Sequence, residues 1–134
     1  MPAIPTHHMR LTVRGYELDS YGHVNNAVYI QYLEQARWEF IRDIGIYDEV
    51  AAQELLLVIT ETNIRYQRES LLFDELEITS SYEIKLPYVV FHQKITNVKS
   101  GLPVARALIK SVFVDKERLP CDIPEFMYKP LETK

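Results

Sequence analysis

Along the chain the spacing of apolar side chains changes period between its first and second halves. From Asn26 to Ile44 they fall at Tyr29, Tyr32, Leu33, Ala36, Phe40, Ile41 and Ile44, while Gln31, Glu34, Gln35, Glu39, Arg42 and Asp43 take the other positions. That three-and-four spacing is one face of a helix ~28 Å long, enough to cross a small sheet. Asn25 or Asn26 suits its start, since a short amide side chain can accept from a first-turn N–H that has no intrahelical partner. Gly45 followed by Ile46 suits its end. Ahead of the helix, Leu11 and Val13 alternate with Thr12 and Arg14, predicting a first strand over about 9–17 with Gly15 at a bulge or bend. Ile46–Leu55 is mixed and predicts a turn or two of helix. The period then drops to two. Leu57–Arg68 is rich in Val, Ile, Thr and Tyr, and Glu75–Leu86 alternates throughout. Pro87-Tyr88 sets off a third run, Val89–Val98, and Ser100-Gly101 with Pro103 sets off a fourth, Val104–Asp115, breaks that read as hairpin connections.

The order is strand, long helix, then four strands in hairpin-like succession. It predicts an α+β domain over 1–134, with the helix against one face of a mainly antiparallel sheet. On the last strand Ala105, Ala107, Ile109, Ser111 and Phe113 share a face, and its two alanines leave room for the large aromatic residues of the helix. The opposite face, with Arg106, Leu108, Lys110, Val112 and Val114, is mixed and suggests subunit packing. An edge strand paired with its copy would also cover an exposed edge. Residues 1–8 read as a flexible arm, and 119–134, with three prolines, as an irregular tail or a short final turn.

Composition narrows the function classes. A chain of 134 residues, 47% apolar and 25% charged, can bury a core without disulfides or a structural metal. Cys121 is alone, which suits a reducing compartment and gives no paired-thiolate site. The net charge of −4 argues against nucleic acid as the main partner. No apolar run approaches a membrane span and the first residues lack a secretory pattern, so the expected location is cytoplasmic. No metal-ligand cluster, phosphate-cradling glycine loop or nucleotide fingerprint is present, and the expectation is no metal and no cofactor.

The chemistry concentrates in Asp19-Ser20-Tyr21-Gly22-His23-Val24-Asn25-Asn26-Ala27-Val28-Tyr29, which sets one carboxylate just ahead of a helix N-terminus. Unpartnered N–H groups and the helix dipole there can hold an oxygen that gains negative charge. The same arrangement also suits an aspartate that only bonds its own turn. Gly22 permits either close backbone approach or a positive φ. His23 has no second His, Cys or Ser arranged with it locally and reads as a loop or interface residue, Asn26 reads first as a cap, and His92 as a structural strand residue. Tyr29, Tyr32 and Phe40 are core residues first. Arg65, Arg68, Lys85, Arg106 and Lys110 are cations on the strands; Arg65 and Arg68 close the strand leading to the next loop.

The element order and that loop, continued by Tyr32, Glu34, Arg37 and Phe40, resemble the hotdog-fold thioesterases of the 4-hydroxybenzoyl-CoA thioesterase-like branch over nearly the whole chain. Glu61-Thr62-Asn63-Ile64-Arg65-Tyr66, continuing through Phe73-Asp74-Glu75-Leu76, is a supporting match. The resemblance implies a curved sheet wrapped around one central helix, a homodimer or homotetramer with its site at a subunit interface, and hydrolysis of acyl-CoA or acyl-carrier-protein thioesters by water. It carries the catalytic carboxylate to Asp19, as general base or as nucleophile, and N–H donors to Gly22 and the helix start. Substrate contacts are expected from Gly22, His23, Val24, Asn25, Asn26 and Tyr29, with Arg65 and Arg68 toward coenzyme A or the carrier. A non-catalytic module that binds acyl groups or a partner is the alternative, and a dehydratase of similar fold a third.

Overall fold

The elements form where the period of the sequence dictates. The computed structural model describes residues 5–132, so residues 1–4 of the expected arm lie outside it, as do the last two of the tail. In chain order they are β1 (His7–Thr12), α1 (Asn26–Asp43), α2 (Ile46–Ala52), β2 (Leu56–Tyr66), β3 (Glu75–Lys85), β4 (Tyr88–Asn97) and β5 (Pro103–Val114), with short 3-10 turns at Gly15–Glu17, Glu125–Met127 and Lys129–Leu131. The strands form one antiparallel sheet in the order β1-β3-β4-β5-β2. This is the hotdog arrangement.

The α1 residues Tyr29, Tyr32, Leu33, Ala36 and Phe40 are buried against the inner face of the sheet. Phe40 meets the rings of Tyr82 and Phe91 with centroids 5.9 and 6.4 Å away. Ala105, Ala107, Ile109, Ser111 and Phe113 of β5 are all buried, as the face pattern of that strand predicts. Each large side chain enclosed this way contributes roughly 1.5–3 kcal/mol. Polar groups inside this layer are bonded: the Gln93 amide donates to the Leu33 carbonyl (3.0 Å) and to Ser80 Oγ (2.9 Å), and Ser111 donates to the Val89 carbonyl at 2.8 Å. Gly45, at φ +83, closes α1 and opens α2 in a backbone conformation that a side chain disfavours.

Three expectations need correction. The first strand starts earlier and ends sooner, because Arg14 to Glu17 turns into a 3-10 helix held by the Glu17 carboxylate, which accepts from the Arg14 amide at 2.8 Å. Residues 7 and 8 are not a flexible arm: both pair with β3, and His7 stacks on Phe40 and reaches Asp43 at 2.8 Å. The strands after α1 do not all follow as hairpins, since β2 crosses to the far edge to pair with β5 while β3 pairs with β1. The C-terminal segment is irregular apart from its two short 3-10 turns, and it is packed, with Met127 fully buried and its carbonyl accepting from the Tyr82 hydroxyl at 2.6 Å. No helix among the described residues is long and apolar enough to cross a membrane.

Candidate active site

The loop from Asp19 to Asn25 is built almost wholly from its own backbone bonds. The Asp19 amide donates to the His23 carbonyl (2.7 Å) and the Gly22 amide to the Asp19 carbonyl (3.1 Å), closing a turn in which Gly22 takes φ +79. A side chain at that φ is strained. Two further contacts seat the turn on the body: the Val24 amide donates to the Ser70 carbonyl at 3.0 Å and the Asn25 amide to the Glu17 carbonyl at 2.9 Å. Asn25, rather than Asn26, caps α1, its side chain accepting from the Ala27 amide at 2.8 Å.

Within this frame the two oxygens of Asp19 have different environments. Oδ1 accepts from the amides of Tyr21 (2.8 Å) and His23 (3.2 Å), which fixes the carboxylate; Oδ2 has no hydrogen-bond partner among the described residues. Asp19 therefore bonds its own turn, as a purely structural aspartate would, and still keeps one oxygen open. The Gly22 amide is engaged inside the turn, whereas the amide of Asn26, the first residue of α1, donates to no acceptor among the described residues. Its position at the helix N-terminus makes it the donor best placed for a nascent oxyanion.

A cavity of about 290 Å³ is lined by Asp19, His23, Val24, Asn26 and Tyr29 from the loop and α1, and by Tyr66, Gln67, Arg68 and Glu69 from the end of β2 and the residues after it. Of the expected contacts, His23, Val24, Asn26, Tyr29 and Arg68 thus meet Asp19 here, while Gly22 and Asn25 shape the turn and the cap behind it. Arg65 is not brought in, because alternation along β2 turns it to the outer face of the sheet. His23 Nε2 is engaged by the Glu69 carboxylate, and the Arg68 guanidinium donates to the Pro103 carbonyl at 2.8 Å. The Tyr29 hydroxyl donates to Ser70 Oγ at 3.0 Å, and burial raises its pKa despite that bond. The Tyr66 hydroxyl donates to the Asn26 carbonyl at 3.1 Å, tying the end of β2 to the helix start.

Tyr66, Gln67, Glu69 and Ser70 were not legible as site residues. Ser70 is wholly buried, yet nothing in the local sequence marks it apart from an ordinary loop serine. Glu17 is a further hidden support: it is buried, accepts from the Tyr32 hydroxyl at 2.7 Å and is paired with Arg14 at 2.6 Å. Burial by itself would raise its pKa, but the hydrogen bonds from Arg14 and Tyr32 outweigh burial and hold the carboxyl below its ordinary range. Among the described residues no three His, Cys, Asp or Glu side chains converge as metal ligands.

Farther along α1 lies a second, apolar cavity of about 440 Å³ between α1, α2 and β2, lined by residues such as Trp38, Ile41, Val50, Ala51, Leu57 and Phe91. It begins at Glu34, ~12 Å along the helix from Asn26 at the standard rise.

A family model for the Thioesterase-like superfamily matches residues 13–131. The long-chain acyl-CoA thioesterase FadM of Escherichia coli strain K12 is 38% identical over 107 residues, which span 79% of this chain and 81% of that protein. The chloroplastic acyl-acyl carrier protein thioesterase ATL3 of Arabidopsis thaliana is 34% identical over 125 residues, 88% of this chain and 63% of that protein. Among solved structures, the probable thioesterase YbaW from Escherichia coli superposes with a TM-score of 0.85 at 35% identity, over 93% of this chain and 96% of that one. A loop carboxylate before the central helix, the hotdog sheet and these matches converge: the chain belongs to the Thioesterase-like superfamily and is a thioester hydrolase.

Proposed function

We propose that this chain cleaves acyl thioesters of coenzyme A or acyl-carrier protein to free acid and thiol, with Asp19 acting at the carbonyl. The observation that carries this reading is that Asp19, whose Oδ2 is open, and Asn26, whose amide is unengaged, line one cavity. As a general base, Oδ2 takes a proton from water while the water oxygen bonds to the carbonyl carbon. The carbonyl electrons move onto oxygen, where the Asn26 amide and the helix dipole stabilise them. Collapse breaks the carbon–sulfur bond, and the thiolate regains the proton from Asp19. As a nucleophile, Oδ2 bonds to the carbon directly, the thiolate leaves, and water hydrolyses the mixed anhydride.

Tyr29 and Tyr66 flank the reacting group with rings 5.5 Å apart, and Arg68 supplies positive charge beside it for a phosphate or an acidic carrier surface. The apolar cavity along α1 suits the acyl group. Its lining by β2, an edge strand whose Leu56, Val58 and Ile59 are each at least 40% exposed, supports a homodimer or homotetramer in which that edge meets another copy.

The deciding experiment is a thiol-release assay across acyl-CoA and acyl-carrier-protein substrates of differing chain length and aryl character, with Asp19→Asn and Asp19→Ala alongside. Hydrolysis by the wild type and its loss in both variants is expected. Full activity in Asp19→Ala rules out the assigned role. Heavy-oxygen label in the Asp19 carboxylate after turnover in labelled water selects the nucleophilic route with water attacking the aspartyl carbon of the anhydride, since the general-base route leaves both Asp19 oxygens in place.

A further inference from the structure

The outer face of the sheet, away from α1, carries a row of three cations that neighbour one another across strands. Arg65 of β2 is in register with Arg106 of β5, and Arg106 with Lys94 of β4. All three are exposed, and none of their side chains makes an ion pair or hydrogen bond among the described residues. The other cations of this face are matched: Lys110 lies 3.9 Å from Glu61, Lys85 3.8 Å from Glu83, and Arg10 4.0 Å from Glu77. The nearby carboxylates are thus taken, Glu83 also by His92 and Glu77 also by His8. Like charges directly opposite in a sheet destabilise it, and here two such pairs share one arginine.

What surrounds the row is suited to an anion. It edges a depression of about 420 Å³ in which Asn63, Thr79 and Ser81 add uncharged donors and Leu108 lies in the next row beside His92. No carboxylate lines that depression. Its volume falls in the range of small-molecule sites and exceeds the need of a single phosphate. Guanidinium and ammonium groups at cross-strand spacing can each take a phosphate oxygen, and this would relieve their mutual repulsion.

We propose that Arg65, Arg106 and Lys94 form a binding site for a phosphate-bearing anion of nucleotide size on the outer face of the sheet, separate from the Asp19 cavity. Two sources share that chemistry: a free nucleotide, or the nucleotide end of a coenzyme A thioester. The second rests on the function proposed above. The end of β2 joins the two regions, since Arg65 is followed directly by Tyr66, Gln67 and Arg68 of the Asp19 cavity.

Calorimetric titration of the full chain with adenosine 3′,5′-bisphosphate tests this directly, using wild type, Lys94→Gln, Arg106→Gln, the double variant and Asp19→Asn. The wild type and Asp19→Asn are expected to bind alike, each charge removal to weaken binding about tenfold or more, and added salt to weaken it further. The charge variants should melt no lower than wild type, because they remove repulsion, so lost binding is not lost folding. Binding that is absent in wild type, or equal in wild type and the double variant, overturns the site. A double variant that alters sedimentation but not binding overturns it too and makes the face a contact between copies. The source is read from the ratio of KM for an acyl-CoA to KM for the same acyl group on pantetheine. That ratio rises in the double variant if the substrate's own nucleotide occupies the row, and stays fixed if a free nucleotide does. Because binding is read without turnover, the result stands apart from any failure to detect hydrolysis.

Discussion

The two ends of one helix face do different work. At its N-terminus α1 meets a turn tied by backbone hydrogen bonds, a fixed carboxylate and an unengaged amide, in a small polar cavity. From Glu34 onward the same helix borders an apolar cavity of about 440 Å³ that holds Arg37 but no turn or capping group. The first region depends on dipole and donor direction, which exist only at a helix end. The second depends on volume and apolar lining, which any pair of packed elements can supply. Under the proposed function, chemistry and acyl selection are separable in space, and substitutions in one region are expected to leave the other's signature intact.

Breaking the polar end has the largest expected effect. Asp19→Ala removes the reacting carboxylate and should lower kcat by about 10²–10⁴-fold, with a stability cost of only about 1 kcal/mol from the freed Tyr21 and His23 amides, measured by steady-state thiol release alongside a melt. Next is the apolar end: Ala51→Phe projects a ring into the cavity and should penalise long acyl chains over short ones. About tenfold in kcat/KM per excluded methylene or two is expected, while the best short substrate keeps its kcat. A uniform loss across chain lengths would place the acyl group elsewhere.

Smaller is the effect of Glu17→Gln, which breaks the charge-assisted contacts with Arg14 and Tyr32 beneath the loop and should cost about 1–3 kcal/mol in denaturant unfolding. The pH sign follows from the depressed carboxyl. Its stabilisation is fully present above the unfolded-state carboxylate pKa and is lost as pH falls through the lower folded value. Wild type should thus lose stability in acid over that window more steeply than Glu17→Gln. Smallest is Asn25→Ala, expected to cost about 1 kcal/mol by unsatisfying the Ala27 amide, with a larger effect on kcat than on the acyl-chain profile because only the polar end is loosened.

Much of this was legible in residue order. The apolar spacing of Tyr29, Tyr32, Leu33, Ala36 and Phe40 specified α1 and its buried face, because a helix can hide only positions that recur every three or four residues. Alternation in β3 and β5 specified which side chains turn inward, and the loop from Asp19 to Asn26 marked the place where a carboxylate meets a helix end. Arg65 shows where such reading stops. Two residues apart from Gln67 and three from Arg68, it was grouped with the candidate site, yet strand alternation and the crossover of β2 set it on the other side of the sheet.

Local pattern thus determined the type of the main elements and the side of each that is buried, and placed one carboxylate just ahead of a helix N-terminus. Tertiary structure alone decided that β2 pairs with β5, that Tyr66 and Ser70 close around the loop, that His7 and Met127 belong to packed structure, and that Arg65, Arg106 and Lys94 align in one row. The physical reason is range. Periodicity, capping and turn preference act between residues a few positions apart, whereas strand pairing and cavity lining depend on contacts between segments tens of residues apart, whose partners no short stretch of sequence specifies.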